Sequence, residues 1–212
     1  MTTSDIIIDI IKPKYCAALE QLQRDCFPTL GDDDLMLEAH FRKHCELFPD
    51  GNFVALDGDK VVGLGSGFLI DFDFAHPQHR YMDIIDGGYY TTHQQDGDWY
   101  YGSDISVHPD YRRRGIGSRL YKARKDCVKK FNRKGIVAGG LLPGYPKYRK
   151  TLTPEQYAKK AAAGDLYDPT LSFQLSQGFQ LRGMIENYIE DDASDNWATL
   201  IVWDNPNYTP PE

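Results

Sequence analysis

The chain has 212 residues, 41% hydrophobic and 26% charged, with a formal net charge of −7 at pH 7. That length fits one compact domain able to bury a core without staples. An acidic body disfavours general nucleic-acid binding, and no apolar run nears the roughly 20 residues that span a bilayer. The cysteines Cys16, Cys26, Cys45 and Cys127 contain no CxxC pair, which excludes a zinc knuckle and a disulfide scaffold.

The opening MTTSDIIIDIIKPKY has neither a basic start nor a small-residue cleavage site, so no signal peptide is expected. The cysteines then read as reduced thiols of a cytoplasmic protein. Residues 5–11 predict a first strand, and Lys14–Cys26 shows helical spacing of Cys16, Leu19, Leu22 and Cys26. Asp32, Asp33 or Asp34 can cap a second helix that runs to about Phe48. Asn52–Leu56 and Lys60–Ile70 flank Asp57-Gly58-Asp59, a hairpin signal. Residues 71–98 form a long polar and aromatic connection, of the kind that often carries function.

Trp99–Val107 predicts a strand and Arg114–Phe131 a helix, with an apolar stripe of Ile116, Leu120, Ala123, Cys127 and Phe131. Ile136–Leu142 is a short buried strand. Thr153-Pro154-Glu155 starts a helix that continues over Gln156–Ala163, and Thr170–Gln177 is another that ends at Gly178. Phe179–Ile189 and Trp197–Trp203 are the last strands. The alternation predicts an α/β (α+β) domain over residues 1–204: a mixed sheet of six to seven strands with helices on both faces. The Pro-rich residues 205–212 are expected to be a loose tail.

Chemistry concentrates at Val107–Ser118, VHPDYRRRGIGS. A strand ends, Pro109 halts pairing, and Arg112, Gly115 and Gly117 open a helix. The first turn of a helix has unpaired N–H groups and partial positive charge, and glycine lets a bulky anion approach the backbone. Between Arg112 and Lys134 there are eleven Lys or Arg and one acid, so this segment carries +10 and the remainder −17. In physical terms this is a diphosphate site. The nucleotide P-loop GxxxxGK[ST] is absent, and Gly63-Leu64-Gly65-Ser66-Gly67 lacks dinucleotide GxGxxG spacing. Those three glycines share one strand face, where they admit a helix or a ligand or mark a bulge.

With that strand and helix around it, VHPDYRRRGIGS resembles motif A of the GNAT acetyltransferase superfamily, (Q/R)xxGx(G/A), read here as Arg112-x-x-Gly115-x-Gly117. The order of elements is similar to the GNAT topology, and Phe173–Phe179, FQLSQGF, resembles a later family motif. The blocks GGLLPGYPKY, LTPEQY and LYDPTLSFQLSQGF are similar to GNAT domains often fused ahead of a carbon–nitrogen hydrolase; this chain would be a stand-alone relative of that domain.

The resemblance implies acetyl-CoA as co-substrate, with no metal. Ile105, Ser106 and Val107 would pair with the pantetheine arm, and Arg112, Arg113, Arg114, Gly115, Ile116, Gly117 and Ser118 would hold the pyrophosphate. The activity implied is N-acetyl transfer by direct attack of a primary amine: a small amine, a polyamine-like molecule or a lysine. Asp104 is the nearest acid on the central strand and the candidate base, with hydrogen bonding inside the sheet as its structural alternative and Asp98, His93 or a water chain as other bases. Strict alternation would put Asp104 and Ser106 on one face and Ser103, Ile105 and Val107 on the other. The family's usual tyrosine position holds Gln174, so Tyr167 and then Tyr145 are the candidate acids. Two alternatives follow: an acyl-CoA sensor without turnover, motivated by Gln174, and a subunit that docks on a separate hydrolase. No nucleic-acid or membrane partner is expected, and a homodimer stays open. His40 and His44 are spaced like metal ligands but read as a surface pair. His76, His79 and the aromatics Tyr89, Tyr90, Trp99, Tyr100 and Tyr101 either wall an acceptor cleft or occupy loop and sheet packing positions.

Overall fold

Residues 5–28 and 35–211 are described in the computed structural model of the chain; the expected cap at Asp32, Asp33 or Asp34 lies outside them. The strands are β1 (Ile7–Ile10), β2 (Phe53–Asp57), β3 (Lys60–Ile70), β4 (Trp99–Val107), β5 (Gly135–Leu141), β6 (Gln180–Ile185) and β7 (Ala198–Asp204). They form one sheet in the order β1-β2-β3-β4-β5-β7-β6. Every neighbouring pair is antiparallel except β4 and β5. The helices are α1 (Cys16–Cys26), α2 (Glu38–Leu47), α3 (Tyr81–Ile84), α4 (Ile116–Lys130), α5 (Pro154–Ala163) and α6 (Leu171–Ser176).

Period-two alternation sorts the strands into two cores. On one face Leu19 and Leu22 of α1 and Phe41 of α2 pack with Leu64, Phe68, Tyr90 and Tyr101. On the other, Ile116, Leu120 and Val128 of α4 pack with Tyr100, Ile136, Tyr157 of α5 and Leu171 of α6. Each such apolar side chain contributes roughly 1.5–3 kcal/mol by burial. Gly63 and Gly65 are what allow α4 to lie so close. A Cβ on Gly63 would stand 3.3 Å from Ile116 Cγ2, and one on Gly65 3.3 Å from Leu120 Cβ. The glycine stripe of β3 therefore serves helix packing, and its last member, Gly67, sits at a register break in the β3–β4 pair.

Local signals set several boundaries. Gly58 takes φ +59° in the β2–β3 turn. Thr153 and Gln156 form a reciprocal capping box at the start of α5. Gly164 and Gly178 leave α5 and α6 in the left-handed conformation.

One expectation is filled in and two are corrected. Residues 71–98 contain the short helix α3, and the segment is held by distant groups: Tyr81 N donates to Tyr188 O at 2.7 Å and Gln94 N to Leu69 O at 2.8 Å. The tail expected to be loose is fastened at its start, because Asn205 Nδ2 donates to Arg133 O and Asn132 bonds Thr209 in both directions. His44 is not on a surface: it is 1% exposed, stacks on Tyr90 at 3.6 Å between centroids, and bonds Gly88 O at 2.7 Å. Among the described residues no group of three metal-ligating side chains forms, and no helix is long and apolar enough to cross a membrane.

Candidate active site

The turn between β4 and α4 is an anion cradle made of backbone. Arg112 is extended, Arg113 takes φ +65° and Gly115 φ +76°, after which α4 begins at Ile116. Such successive left-handed and extended residues turn their amides to one side. The first bond inside α4 runs from Arg119 N to Gly115 O, which leaves the first-turn amides of Ile116, Gly117 and Ser118 for a ligand. A Cβ on Gly115 would meet nothing within 4 Å, so the turn is open there. Gly117 differs: a Cβ there would lie 3.1 Å from the Phe173 ring, so this glycine seats α6 against the turn. The arginine side chains fasten the turn. Arg112 Nε donates to Val107 O, Arg114 Nη2 donates to Asp110 O, and Arg114 lies over the Tyr111 ring. Tyr111 Oη in turn donates to Asp57 at 2.8 Å.

Beside the turn, the sheet opens. The parallel strands β4 and β5 pair only at Trp99–Gly135, Tyr100–Ile136 and Tyr101–Val137. Among the described residues, the β5 side of β4 has no strand partner beyond Tyr101, a stretch that includes Ile105, Ser106 and Val107. At the same place the β3–β4 register breaks: Ser66 faces Asp104, Gly67 faces Gly102, and Ser103 is the extra residue of a bulge. A bulge leaves its extra residue out of the ladder and bends the strand. A bulge of this kind can leave an N–H of β4 out of the ladder, and an N–H there beside the open slot would suit a carbonyl oxygen that gains negative charge.

The bulge also changes which side chains share a face. Alternation put Ser103 opposite Asp104, but Ser103 Oγ lies 3.1 Å from Ser66 Oγ and also bonds Tyr90 Oη, on the face of Asp104. One extra residue explains the change. Asp104 itself is buried and accepts from Gln23 Nε2 of α1 at 2.6 Å. Burial raises its carboxyl above the ordinary value, while the Gln23 bond and the charge of Arg124 act in the opposite direction. A carboxylate of raised basicity beside an open slot can accept a proton, and the same contacts meet the structural alternative of a hydrogen-bonded sheet residue. Ser106, two residues on, is buried on the same face, and its hydroxyl also acts on the Asp104 carboxyl in the lowering direction.

The candidate phenols are placed apart from the bulge. Tyr145, in the turn after β5, is 3% exposed, and its hydroxyl donates to Leu152 O at 3.0 Å. Tyr167, in the α5–α6 connection, is 73% exposed. Neither has a hydrogen bond or ring contact with Ser103 or Asp104 among the described residues. Gln174 is buried over β5, where a Cβ on Gly140 would stand 2.6 Å from its Oε1, and that oxygen has no partner. The phenol beside the Gln174 amide is Tyr121 of α4, whose ring packs on Phe173 and Phe179. Burial raises Tyr121 and keeps it protonated. Sequence reasoning missed Tyr121 and Arg124. Gly117, Tyr121, Arg124 and Val128 form a second stripe at steps of four and three, and that spacing was the available signal.

The α1 face of β4 leads into an aromatic wall. His79 Nδ1 lies 2.8 Å from Pro77 O, which can only accept, so Nδ1 carries the proton. Burial lowers the His79 pKa and favours the neutral ring, so Nε2 accepts from Tyr101 Oη at 2.8 Å, and Tyr101 accepts from Tyr188 Oη at 2.9 Å. This chain ties the 71–98 connection to the β6–β7 turn, which carries Glu186, Glu190, Asp191, Asp192 and Asp195. A groove of about 350 Å³ runs between Arg80 and Asn187, Ile189, Glu190 and Asn196. His76 is an exposed partner of Asp73.

Residues 16–138 match the Acetyltransferase (GNAT) family. The Bacillus subtilis (strain 168) protein "Uncharacterized N-acetyltransferase YkwB" is 31% identical over 191 residues, which cover 90% of this chain and 84% of that protein. From the same organism, "Probable hydrolase YhcX" is 41% identical over 206 residues, or 97% of this chain; the chain spans 40% of that relative's length. Among solved structures, "GphF GNAT-like decarboxylase in complex with isobutyryl-CoA" superposes with a TM-score of 0.79 at 22% identity, over 94% of this chain and 99% of that one, a likeness of fold.

Proposed function

This chain belongs to the acetyltransferase (GNAT) family, and from that premise we propose that it carries an acetyl group from acetyl-CoA to a primary amine. The observation that supports this most is the parting of β4 from β5 after Tyr101 and Val137, beside a bulge on one side and an amide-lined turn on the other. Acetyl-CoA supplies an activated thioester. The amides of Ile116, Gly117 and Ser118 and the arginine-braced turn hold its pyrophosphate, and Ile105, Ser106 and Val107 offer backbone groups to the pantetheine. The bulge N–H steadies the carbonyl oxygen as negative charge grows on it. Asp104 takes the proton of the attacking amine, and a phenol donates toward the departing sulfur. Tyr121 is our first candidate for that phenol because it adjoins Gln174, with Tyr145 and Tyr167 as the other candidates. The acids of the β6–β7 turn favour a cationic acceptor, a small amine, polyamine or lysine. Four free thiols, of which Cys16 and Cys127 are buried, suit a reducing, cytoplasmic setting.

Calorimetric titration with acetyl-CoA, followed by free-thiol release over a panel of monoamines, polyamines and lysine peptides, tests this. Binding and amine-dependent release are expected. Binding with no release on any amine replaces the reading with an acyl-CoA sensor, which the phenol-less position of Gln174 favours. Absence of binding refutes both. A second reading, assembly with a carbon–nitrogen hydrolase, is favoured by the 41% identity to a relative of which this chain spans 40%. Co-purification with such an enzyme would support it.

A further inference from the structure

A helix that packs on a sheet ordinarily buries apolar side chains, yet α4 buries an arginine. Arg124 is 2% exposed, and its guanidinium carbon lies 5.9 Å and 5.8 Å from the ring centroids of Tyr100 and Tyr121. Burying such a charge is costly unless it is well bonded. Nη2 donates to Ser66 O at 2.5 Å and also to Asp104 O. Those are the two residues that face each other at the edge of the β3–β4 register break. Space is cleared for the group: a Cβ on Gly102 would stand 3.2 Å from Nη1, and one on Gly65 3.5 Å from Nε. Nε is buried without a partner. Packing alone would be met by methionine with no charge to bury.

We propose that Arg124 is the positioning residue of the acyl-transfer site, bracing the Ser103 bulge from the α4 face and supplying the positive charge opposite Asp104. The inference rests on the acyltransfer reading given above. A bulge withdraws one residue from the ladder, so neighbouring carbonyls need other donors to stay in place. A single guanidinium nitrogen that grips one carbonyl from each strand fixes how far the strands can slide. It thereby fixes the direction of the freed N–H on β4. Its charge also reaches Asp104 on the other face. The titratable and charged groups facing that carboxylate are Cys26 of α1, Tyr81 of α3, Tyr90 of the connection, and Tyr121 and Arg124 of α4. Gln23 adds a neutral hydrogen bond. Arg124 is the cation in that set.

Two variants separate geometry from charge. Arg124→Lys keeps the charge but shortens the side chain, so its ammonium cannot take the Nη2 position between the two carbonyls, and Arg124→Met loses both. Carbon-13 NMR of Asp-labelled protein, with Asp104→Asn assigning the resonance, gives the Asp104 titration midpoint without requiring turnover. The midpoint, and with it the acid limb of kcat/KM, is expected to move up by about one unit in Arg124→Met and to stay near the wild type in Arg124→Lys. Displacement of the bulge should lower kcat about ten- to a hundred-fold in both, with KM for acetyl-CoA little changed. An unmoved midpoint in Arg124→Met, or a wild-type kcat in Arg124→Lys, overturns the proposal. If Arg124→Met does not fold, the kcat of Arg124→Lys at an unchanged Tm decides. A wild-type protein that acetylates no amine refutes the N-acetyltransferase reading, while the NMR midpoint still decides the placement of Arg124.

Discussion

The two faces of β4 present different kinds of site. Toward α4 and the Arg112–Ser118 turn, the proposed donor side is made of backbone: left-handed residues, first-turn amides and a strand edge that has no strand partner among the described residues. Toward α1 and the 71–98 connection, the proposed acceptor side is made of side chains: Asp104 on Gln23, Ser103 on Tyr90, and Tyr101 between His79 and Tyr188. Backbone amides carry no titratable proton, so the donor side should tolerate pH and fail only when its conformation is forced. The acceptor side should be sensitive to single atoms and to pH.

The largest expected effect is at the acceptor side. Asp104→Asn should lower kcat by roughly 10²–10⁴-fold, the range of a lost general base, with acetyl-CoA affinity held. Equal loss of affinity in a calorimetric titration would blur the division between the faces. Next comes His44. Burial lowers its pKa from 6.5 to about 4, so the unfolded chain binds the proton more readily. Stability from this residue is present above pH 6.5 and is lost as pH falls toward 4, by roughly 3 kcal/mol at about 1.4 kcal/mol per unit. Asp104, with its raised pKa, acts in the opposite sense. The comparison is therefore wild type against His44→Gln, followed by urea denaturation across that range; identical slopes would remove His44 as the cause.

On the donor side, Gly115→Val forces a β-branched residue to φ +76°. A strain of about 1–3 kcal/mol should weaken acetyl-CoA binding ten- to a hundred-fold while leaving the acceptor side intact. An unchanged affinity would mean that the turn does not hold the diphosphate. Smallest is Tyr121→Phe, which removes one hydroxyl beside Gln174 and should reduce kcat about tenfold, more than Tyr145→Phe or Tyr167→Phe. A larger loss in either of those two would move the acid away from α4.

The same contrast explains what was legible in the sequence. The turn, its helix and its strand were readable because glycines, Pro109 and a stripe at steps of three and four are local signals. A sheet of six to seven strands with helices on both faces followed from their alternation, and the sheet has seven. The bulge was not readable: Ser103 looks like any strand residue, and its displacement depends on pairing with Ser66, 37 positions away. His44 looked exposed because its partners, Gly88 and Tyr90, lie in a connection without periodicity. Gln174 warned that the usual phenol was missing, but Tyr121 becomes its neighbour only once α4 and α6 pack together.

Both faces meet at one slot, and a crystal structure with acetyl-CoA measures it directly. The pyrophosphate is expected on the amides of Ile116, Gly117 and Ser118, the pantetheine along Ile105–Val107, and the thioester oxygen within hydrogen-bond reach of the β4 bulge. Coenzyme A bound elsewhere, or its thioester lying away from Ser103 and Asp104, would contradict it.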